Sequence, residues 1–330
     1  MKILSIESSC DETAIAIIED GVKVLSNVVS SQMLVHEKFG GVIPEVASRI
    51  HIENIGYVLQ DALTQAKIEI DEVDAIAMTQ GPGLIGSLHV GIMAAKTLAW
   101  YLNKPLIPTH HIAGHIYANR FVEALKYPLL ALVVSGGHTE LVYLEEEFQF
   151  EVLGSTQDDA VGEAYDKVAR AMGLGYPGGP IIDQLSKLGH KHYPMPRVKT
   201  QNPLDFSFSG LKSAVLQTLK RHEKEGIVTE DLAFDFQEAV MQELLEKTKL
   251  ALEIKAVKHL VLGGGVAANS RLRSLILELK NEYPQLDITI PPMWCCTDNA
   301  AMIGAVAEVA YRHGVRGNLD VSANPSLEYL

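Results

Sequence analysis

The order of strand-like and helical segments, run through twice, is what most limits the fold open to this chain. Residues 2–6 and 13–19 read as strands flanking a tight polar turn, and residues 22–30 follow Asp20-Gly21, a dipeptide that closes hairpins. Pro44 then opens a helical stretch in which Ile55, Val58, Leu59, Ala62, Leu63 and Ala66 keep helical spacing. Residues 73–79 read as a short apolar strand broken by Gly81-Pro82-Gly83. Residues 84–101 read as an apolar helix stopped by Asn103-Lys104-Pro105, and residues 106–109 as a strand leading to His110 and a helix reaching about Leu125. From Leu129 the plan restarts. Residues 129–135, 139–144 and 148–153 read as strands, and 159–172, 210–224 and 230–255 as helices. A strand over 258–262 ends in Gly263-Gly264-Gly265, and a helix through Leu272, Leu275, Ile276 and Leu279 leads to a strand over 286–290. The last helix runs from about Asp298 to Gly314.

Three meandering strands followed by alternating helix and strand, twice over, predict a duplicated α/β fold with mixed sheets. No repeat is visible in the residues themselves, so the order of elements alone carries this. The restart near Lys126-Tyr127-Pro128 divides the chain into lobes 1–127 and 128–330, with the last helix able to pack back toward the first lobe.

Composition bounds the function class. Of 330 residues, 47% are hydrophobic and 21% charged, the balance of a soluble globular chain large enough for two cores. No apolar run reaches membrane-spanning length, and the first residues lack a secretory signal. Cys10, Cys295 and Cys296 form an odd set without Cys-x-x-Cys, which fits a reducing cytoplasm better than a disulfide framework. A net charge of −13 argues against a general nucleic-acid binder, although a local basic patch or a basic partner would still allow one.

Three turns have the residues for anion binding. Ser8-Ser9-Cys10-Asp11-Glu12-Thr13 joins the first two strands of the first run, and Ser135-Gly136-Gly137-His138-Thr139 occupies the matching place in the second. Small residues there let backbone N–H groups approach a phosphate. Gly263-Gly264-Gly265 through Asn269 is a third such turn, leading into a helix whose N-terminus favours an anion. Each alone is most simply a tight turn; three at equivalent strand ends point to a nucleotide cleft between lobes. Neither a Walker-type glycine-lysine motif nor G-x-G-x-x-G occurs, which removes the P-loop and Rossmann readings.

His111 and His115 stand four apart, so on a helix their Cβ atoms lie about 5–6 Å from each other on one face, within reach of one ion. Asp298 is the candidate third ligand; the plain alternative is a helix start with stray histidines. Because Asp298 follows the last strand of the second run, the expectation is an ion lying across the cleft. His110 is assigned to structure. Asp166 and Asp183 are candidates to accept ribose hydroxyls, against the commoner reading of an exposed charged face. From Gln184 to Leu204 there is no acidic residue, while Lys187, Lys191, Arg197 and Lys199 make this the most cationic loop, a candidate contact for a phosphate backbone that Lys212 would extend. Asp11 and Glu12 either orient a nucleophile or a metal-bound water, or stabilise their turn. His36-Glu37 starts like a zinc-peptidase motif but lacks its second histidine.

Taken together, these motifs resemble one family. Ile6-Glu7-Ser8-Ser9-Cys10-Asp11-Glu12-Thr13, Gly81-Pro82-Gly83-Leu84, His110-His111 with Gly114-His115, Ser135-Gly136-Gly137-His138-Thr139, Gly162-Glu163-Ala164-Tyr165-Asp166-Lys167, Tyr176-Pro177-Gly178-Gly179-Pro180, Phe208-Ser209-Gly210-Leu211-Lys212 and Cys296-Thr297-Asp298-Asn299-Ala300-Ala301-Met302 follow in order the pattern of the bacterial TsaD family, from residue 1 to about 313. Trp294-Cys295 departs from the pattern in a bulkier, more thiol-rich pair before Cys296. The resemblance implies a duplicated actin-like fold of the sugar-kinase and Hsp70 type (ASKHA, ribonuclease H-like). It implies transfer of a threonylcarbamoyl group from threonylcarbamoyladenylate to N6 of the adenosine 3′ of the anticodon, in tRNAs reading codons that begin with A. By matching positions, His111, His115 and Asp298 would hold one divalent iron or zinc ion. Val133, Val134, Ser135, Gly136, Gly137, Asp166, Gly179, Asp183 and Asn269 would bind the adenylate, and Asp11 would be catalytic. The resemblance also implies an inactive TsaB-like paralogue and a small TsaE-like ATPase as partners, and a cytoplasmic site of action. Two other classes remain open: an ATPase or kinase of the same fold acting on a small substrate, and a metal-dependent hydrolase.

Overall fold

The computed structural model describes residues 1–224 and 226–329; Leu330, the last residue of the expected second lobe, lies outside them. The chain forms two compact units, Met1–Ala124 with Pro291–Leu330, and Leu125–Ile290.

The first unit is built on a five-stranded sheet in the order β3-β2-β1-β4-β5. Strands β1 (Lys2–Glu7) and β2 (Glu12–Glu19) pair antiparallel, with Glu7 opposite Ala14, and β3 (Lys23–Ser31) continues the meander. The three-residue β2–β3 turn, 20–22, places Asp20 and Gly21 at φ 53° and 70°, in the left-handed backbone that tight hairpin turns use. A short helix α1 (Met33–His36) precedes α2 (Pro44–Ala66), which begins on its proline. Then come β4 (Ala75–Gly81), α3 (Ile85–Leu102), β5 (Leu106–His110) and α4 (His111–Tyr117), with β4 and β5 added in parallel. The helix expected to reach residue 125 gives way to a 3-10 turn after Tyr117, where the Asn119 side chain donates to the Ile116 carbonyl and competes with the ladder.

The second unit repeats the topology, β10-β9-β6-β7-β8. Its strands are β6 (Leu129–Val134), β7 (Thr139–Leu144), β8 (Phe150–Ser155), β9 (His259–Gly263) and β10 (Asp287–Thr289). Its helices are α5 (Val161–Ala171), α6 (Gly178–Ser186), α7 (Ser209–Arg221), α8 (Thr229–Ile254) and α9 (Ser270–Glu282).

The segment from Pro291 onward leaves the second unit and completes the first, so the divided plan 1–127 and 128–330 needs this correction. It carries α10 (Met293–Cys296) and α11 (Ala300–Arg312). Residues 300–307 of α11 are all buried, and Ala300 and Ala301 pack on Ala14, Ala16 and Ile18 of β2. Small side chains let the helix lie close on the sheet: a Cβ at Gly304 would stand 2.5 Å from Ile18 Cγ1. Helices α2 and α3 pack their apolar faces on the cluster containing Ile15, Ile17 and Ile76, which leaves β2 buried on both faces.

Candidate functional site

The C-terminal end of β5 and the start of α4 place two imidazoles side by side. The His110 ring accepts the Ala113 N–H and caps α4. His111 and His115, one turn apart, face each other edge-on with ring centroids 4.9 Å apart. Gly114 between them lies against α11, where a Cβ would stand 3.0 Å from Ile303 Cδ1. Asp298 arrives from the turn ahead of α11. Asn299 fixes that turn, accepting the Met302 N–H and donating to the Thr297 carbonyl. Asp298 Oδ1 then lies 3.5 Å from His111 Nε2 and 3.2 Å from His115 Nε2, and the three donors fall within 4.8 Å of one another.

Around this trio the polar groups are arranged as for a cation. Glu7, fully buried at the end of β1, accepts from the Thr79 hydroxyl and the Ser9 N–H and takes the His111 Nδ1–H at 3.0 Å. That bond leaves His111 Nε2 to face Asp298, the arrangement in which a second carboxylate orients a metal-ligating histidine. His115 is 0% exposed, and neither ring nitrogen has a hydrogen-bond partner among the described residues; its contact with Asp298 falls outside hydrogen-bond geometry. A buried imidazole with both nitrogens unused costs about 1–3 kcal/mol unless something else engages it. Two imidazole nitrogens and one carboxylate oxygen are a donor set that suits a divalent metal ion. Burial lowers the His111 pKa, but the carboxylates of Asp298 and Glu7 more than reverse this, raising it to about 9. Loading an ion at neutral pH therefore releases a proton. All three donors belong to one unit, which corrects the expectation that the ion would bridge the two.

The Ser8–Thr13 turn lies beside this centre. His51 of α2, not singled out by sequence, holds it: Nε2 donates to the Cys10 carbonyl at 2.9 Å and Nδ1 takes the Thr13 hydroxyl at 2.7 Å. Burial, with Asp11 and Asp298 adding negative charge, drives the Glu12 carboxyl well above its ordinary range. The same causes push the Cys10 thiol up, away from the reactive thiolate. His36 is structural: its Nδ1 accepts the Ile43 N–H and its Nε2 meets Gln32.

In the second unit the two remaining glycine turns pack together. The Ser135 N–H donates to the His138 carbonyl, closing the hairpin and leaving Gly136 and Gly137 exposed at its tip. Gly264, at φ +90°, packs so closely that a Cβ would lie 2.3 Å from the Val134 carbonyl oxygen. Val133 and Val134 are fully buried strand residues paired with Glu140 and Thr139 of β7, so they support the turn from beneath rather than present a side chain to a ligand. Asp166 accepts the Gly178 N–H at 2.7 Å and ties α5 to the start of α6, where a side chain at Gly179 would meet open space. Asp183 accepts from Ser270 Oγ at 2.9 Å, and Asn269 caps α9 through the N–H groups of Arg271 and Leu272. Between Asp183 and Asn269 stands Gln237, 3% exposed on α8. Its amide donates to Ser186 Oγ and Asp183 Oδ1 and accepts from Asn269 and the Tyr165 hydroxyl. Sequence reasoning missed this hub, because a glutamine inside a long amphipathic helix reads as surface.

The cationic loop divides. Lys187 pairs with Asp183, and Lys212 with Asp159, so neither is a free basic group. Lys191, Arg197 and Lys199 are exposed and line a groove of ≈ 820 Å³ whose other wall, on α8, carries Asp235, Glu238, Glu243 and Glu246. Asp235 is engaged by the N–H groups of His192 and Tyr193, and Glu238 by Arg271.

Comparison with known proteins agrees with this geometry. The architecture resembles HypF from T. kodakarensis (TM-score 0.64, 13% identity, 94% of this chain and 48% of that one). It also resembles the ADPNP-bound activator of 2-hydroxyisocaproyl-CoA dehydratase from Clostridium difficile (TM-score 0.55, 12% identity, 96% and 99%). These likenesses establish the actin-like α/β fold. Tighter similarity is to the tRNA N6-adenosine threonylcarbamoyltransferases of Bacillus licheniformis, 52% identical over 329 residues (99% of this chain and 96% of the relative), and of Bacillus subtilis (strain 168), 51% identical over 331 residues (99% and 96%). Residues 23–305 match the family model described as TsaD: tRNA N6-adenosine threonylcarbamoyltransferase. The chain belongs to the TsaD family of tRNA N6-adenosine threonylcarbamoyltransferases.

Proposed function

We propose that this chain takes the threonylcarbamoyl group from threonylcarbamoyladenylate and places it on N6 of the adenosine 3′ of the anticodon, in tRNAs reading codons that begin with A. Family membership supports the transfer; the observation that carries its metal-assisted form is the trio of two buried histidines, His111 and His115, with the half-buried Asp298, the His115 nitrogens having no hydrogen-bond partner among the described residues. When bound there, a divalent iron or zinc ion supplies Lewis acidity at the carbonyl under attack and a template for the donor. The chain's own residues do the rest. The Gly136 and Gly137 N–H groups, at the tip of the hairpin that Ser135 closes after Val133 and Val134, receive the phosphate. Asp166, Gly179, Asp183 and Asn269 hold the adenosine. The N6 nitrogen bonds to the carbamoyl carbon, the bond from that carbon to the phosphate oxygen breaks, and AMP leaves with the electron pair. Asp11 receives the amine's proton.

Incubation with threonylcarbamoyladenylate, unmodified tRNA and the partner subunits tests this reading. Modified tRNA is expected, and a chelator should abolish it. ATP turnover without tRNA would favour the kinase-like alternative, and adenylate breakdown without transfer a metal-dependent hydrolase. Asp11→Asn should slow transfer about 10²-fold or more while adenylate binding stays normal; full transfer would remove Asp11 from this role. Glu7→Gln should weaken zinc binding about 10–100-fold in competition with a chromophoric chelator, since the carboxylate that orients His111 is gone. An unchanged affinity would leave Glu7 a structural group only.

Net charge −13 and the acidic wall opposite Lys191, Arg197 and Lys199 fit a subunit that shares tRNA with partners. Reversing Lys191 and Arg197 to glutamate should weaken tRNA binding and flatten its salt dependence by about one unit of slope per lost phosphate contact; unchanged binding would remove the loop from the account. Exposed Leu34, Phe39, Ile52 and Trp100 give the first unit apolar area suited to a TsaB-like partner, with a TsaE-like ATPase as the further subunit. No helix among the described residues is long and apolar enough to cross a membrane, in keeping with action on tRNA in the cytoplasm.

A further inference from the structure

The chain beyond α11 runs back across the ends of β4 and β5 as a strap. The Gly317 N–H donates to the Leu106 carbonyl at 2.8 Å, and the Asn324 N–H to the Gln80 carbonyl at 3.0 Å. Gln80 Nε2 donates to the Ser322 carbonyl at 3.1 Å, and the Gly83 N–H to the Pro325 carbonyl at 3.2 Å. Val321 and Ala323 pack on the core of the first sheet. Gly81 lies under the strap so closely that a Cβ would sit 1.9 Å from the Asn324 carbonyl oxygen. The strap ends on His110, the residue before the first metal-ligand candidate. His110 is 7% exposed; its Nε2–H donates to the Leu327 carbonyl at 2.9 Å, and its ring stacks on Tyr329 with centroids 4.3 Å apart. Its other nitrogen caps α4. Helix α4 has only 7 residues, too few to hold its own geometry, so the placement of His111 and His115 depends on tertiary contacts at its ends.

We infer that the C-terminal strap, through Leu327 and Tyr329 on His110, is a positioning element for the His111–His115 pair and sets how firmly the centre retains a divalent ion. This rests on the metal reading given above. Without the strap α4 keeps its residues but loses the stacked ring and the hydrogen bond that fix its first turn, and the two imidazoles no longer meet the ion in one arrangement. His110 touches neither ion nor substrate in this account, and its effect passes through the helix.

The test uses the full chain loaded with zinc, a chain ending at Asn324, His110→Asn and Tyr329→Ala. Asparagine still caps α4 but lacks the ring that stacks on Tyr329. Zinc release into excess chelator is timed, and the melting of the metal-free proteins is recorded as a control. Release should quicken about fivefold to tenfold in the truncated chain and in His110→Asn, the scale set by one lost hydrogen bond. Combining the two changes should add nothing further, because both remove one contact. Tyr329→Ala should fall between, and should decide the matter if the truncated chain does not fold. Release at the parental rate in His110→Asn and Tyr329→Ala would overturn the inference. A parent chain that takes up no zinc would instead overturn the metal reading beneath it.

Discussion

Replacing His115 with leucine should empty the metal centre and at the same time make the metal-free protein more stable. Both halves follow from one observation. The imidazole is fully buried, and neither nitrogen has a hydrogen-bond partner among the described residues. In the metal-free chain this is a polar ring stripped of water with no hydrogen bond in return, only the contact with Asp298 at 3.2 Å, at a cost of about 1–3 kcal/mol. Leucine is close in volume and carries no polar atom, so it fits a fully buried position without a stranded donor or acceptor. The chelated variant should therefore melt above the chelated parent. With one of three protein ligands gone, bound metal should fall to background, and transfer should drop by about three orders of magnitude, the scale of several kcal/mol of lost Lewis-acid stabilisation. Metal content by elemental analysis and melting by calorimetry read the two halves separately. A chelated variant that melts below the parent would show that the ring serves packing, and retained metal would show that His115 is no ligand.

What could be read from the sequence, and what could not, divides along a physical line. Strands, hairpins and glycine turns were legible because they rest on neighbours in the chain, as with Asp20-Gly21 or the small residues of the Ser135 turn. The His111–His115 spacing was legible for the same reason, since one helical turn relates the pair. The extent of α4 was not, because the Asn119 side chain competes with the helical ladder. The unit to which Asp298 belongs was hidden by order, because it follows the last strand of the second sheet. A signal was nevertheless present: residues 300–307 are small or apolar all round, the mark of a helix buried on every side, and such a helix needs a sheet to lie on. Least legible were the groups that orient the sites. Glu7 reaches His111 across 104 positions, and Gln237 reaches Asn269 across 32, and neither carries a local pattern that announces it.

Gln237 gives the second large expected effect. Its amide uses both ends: the NH₂ group donates to Ser186 and Asp183, and the carbonyl accepts from Asn269 and Tyr165. Glutamate in its place has the same shape and keeps the acceptor side. The donor side becomes a carboxylate oxygen set against Asp183, at the 3.4 Å now spanned by a hydrogen bond. Two carboxylates at that distance in a buried setting repel, so either one is protonated or Asp183 turns away from Ser270. Adenylate binding should therefore weaken about 10-fold to 100-fold at neutral pH for Gln237→Glu. Binding should recover in part as the pH falls, because a proton shared between the two carboxylates restores a donor. Gln237→Met, which removes donor and acceptor together, should lose affinity without that pH dependence. The metal centre draws on other residues altogether, so zinc affinity should stay at the parental value in both variants. Titration of a non-hydrolysable adenylate analogue between about pH 5.5 and pH 8, a window above the ordinary carboxyl range of about 4 that a carboxylate pair sharing a proton is raised into, separates a positioning hub from simple packing. If Gln237→Glu and Gln237→Met weaken binding equally at every pH, the amide's hydrogen bonds are not what holds Asp183 and Asn269 in place.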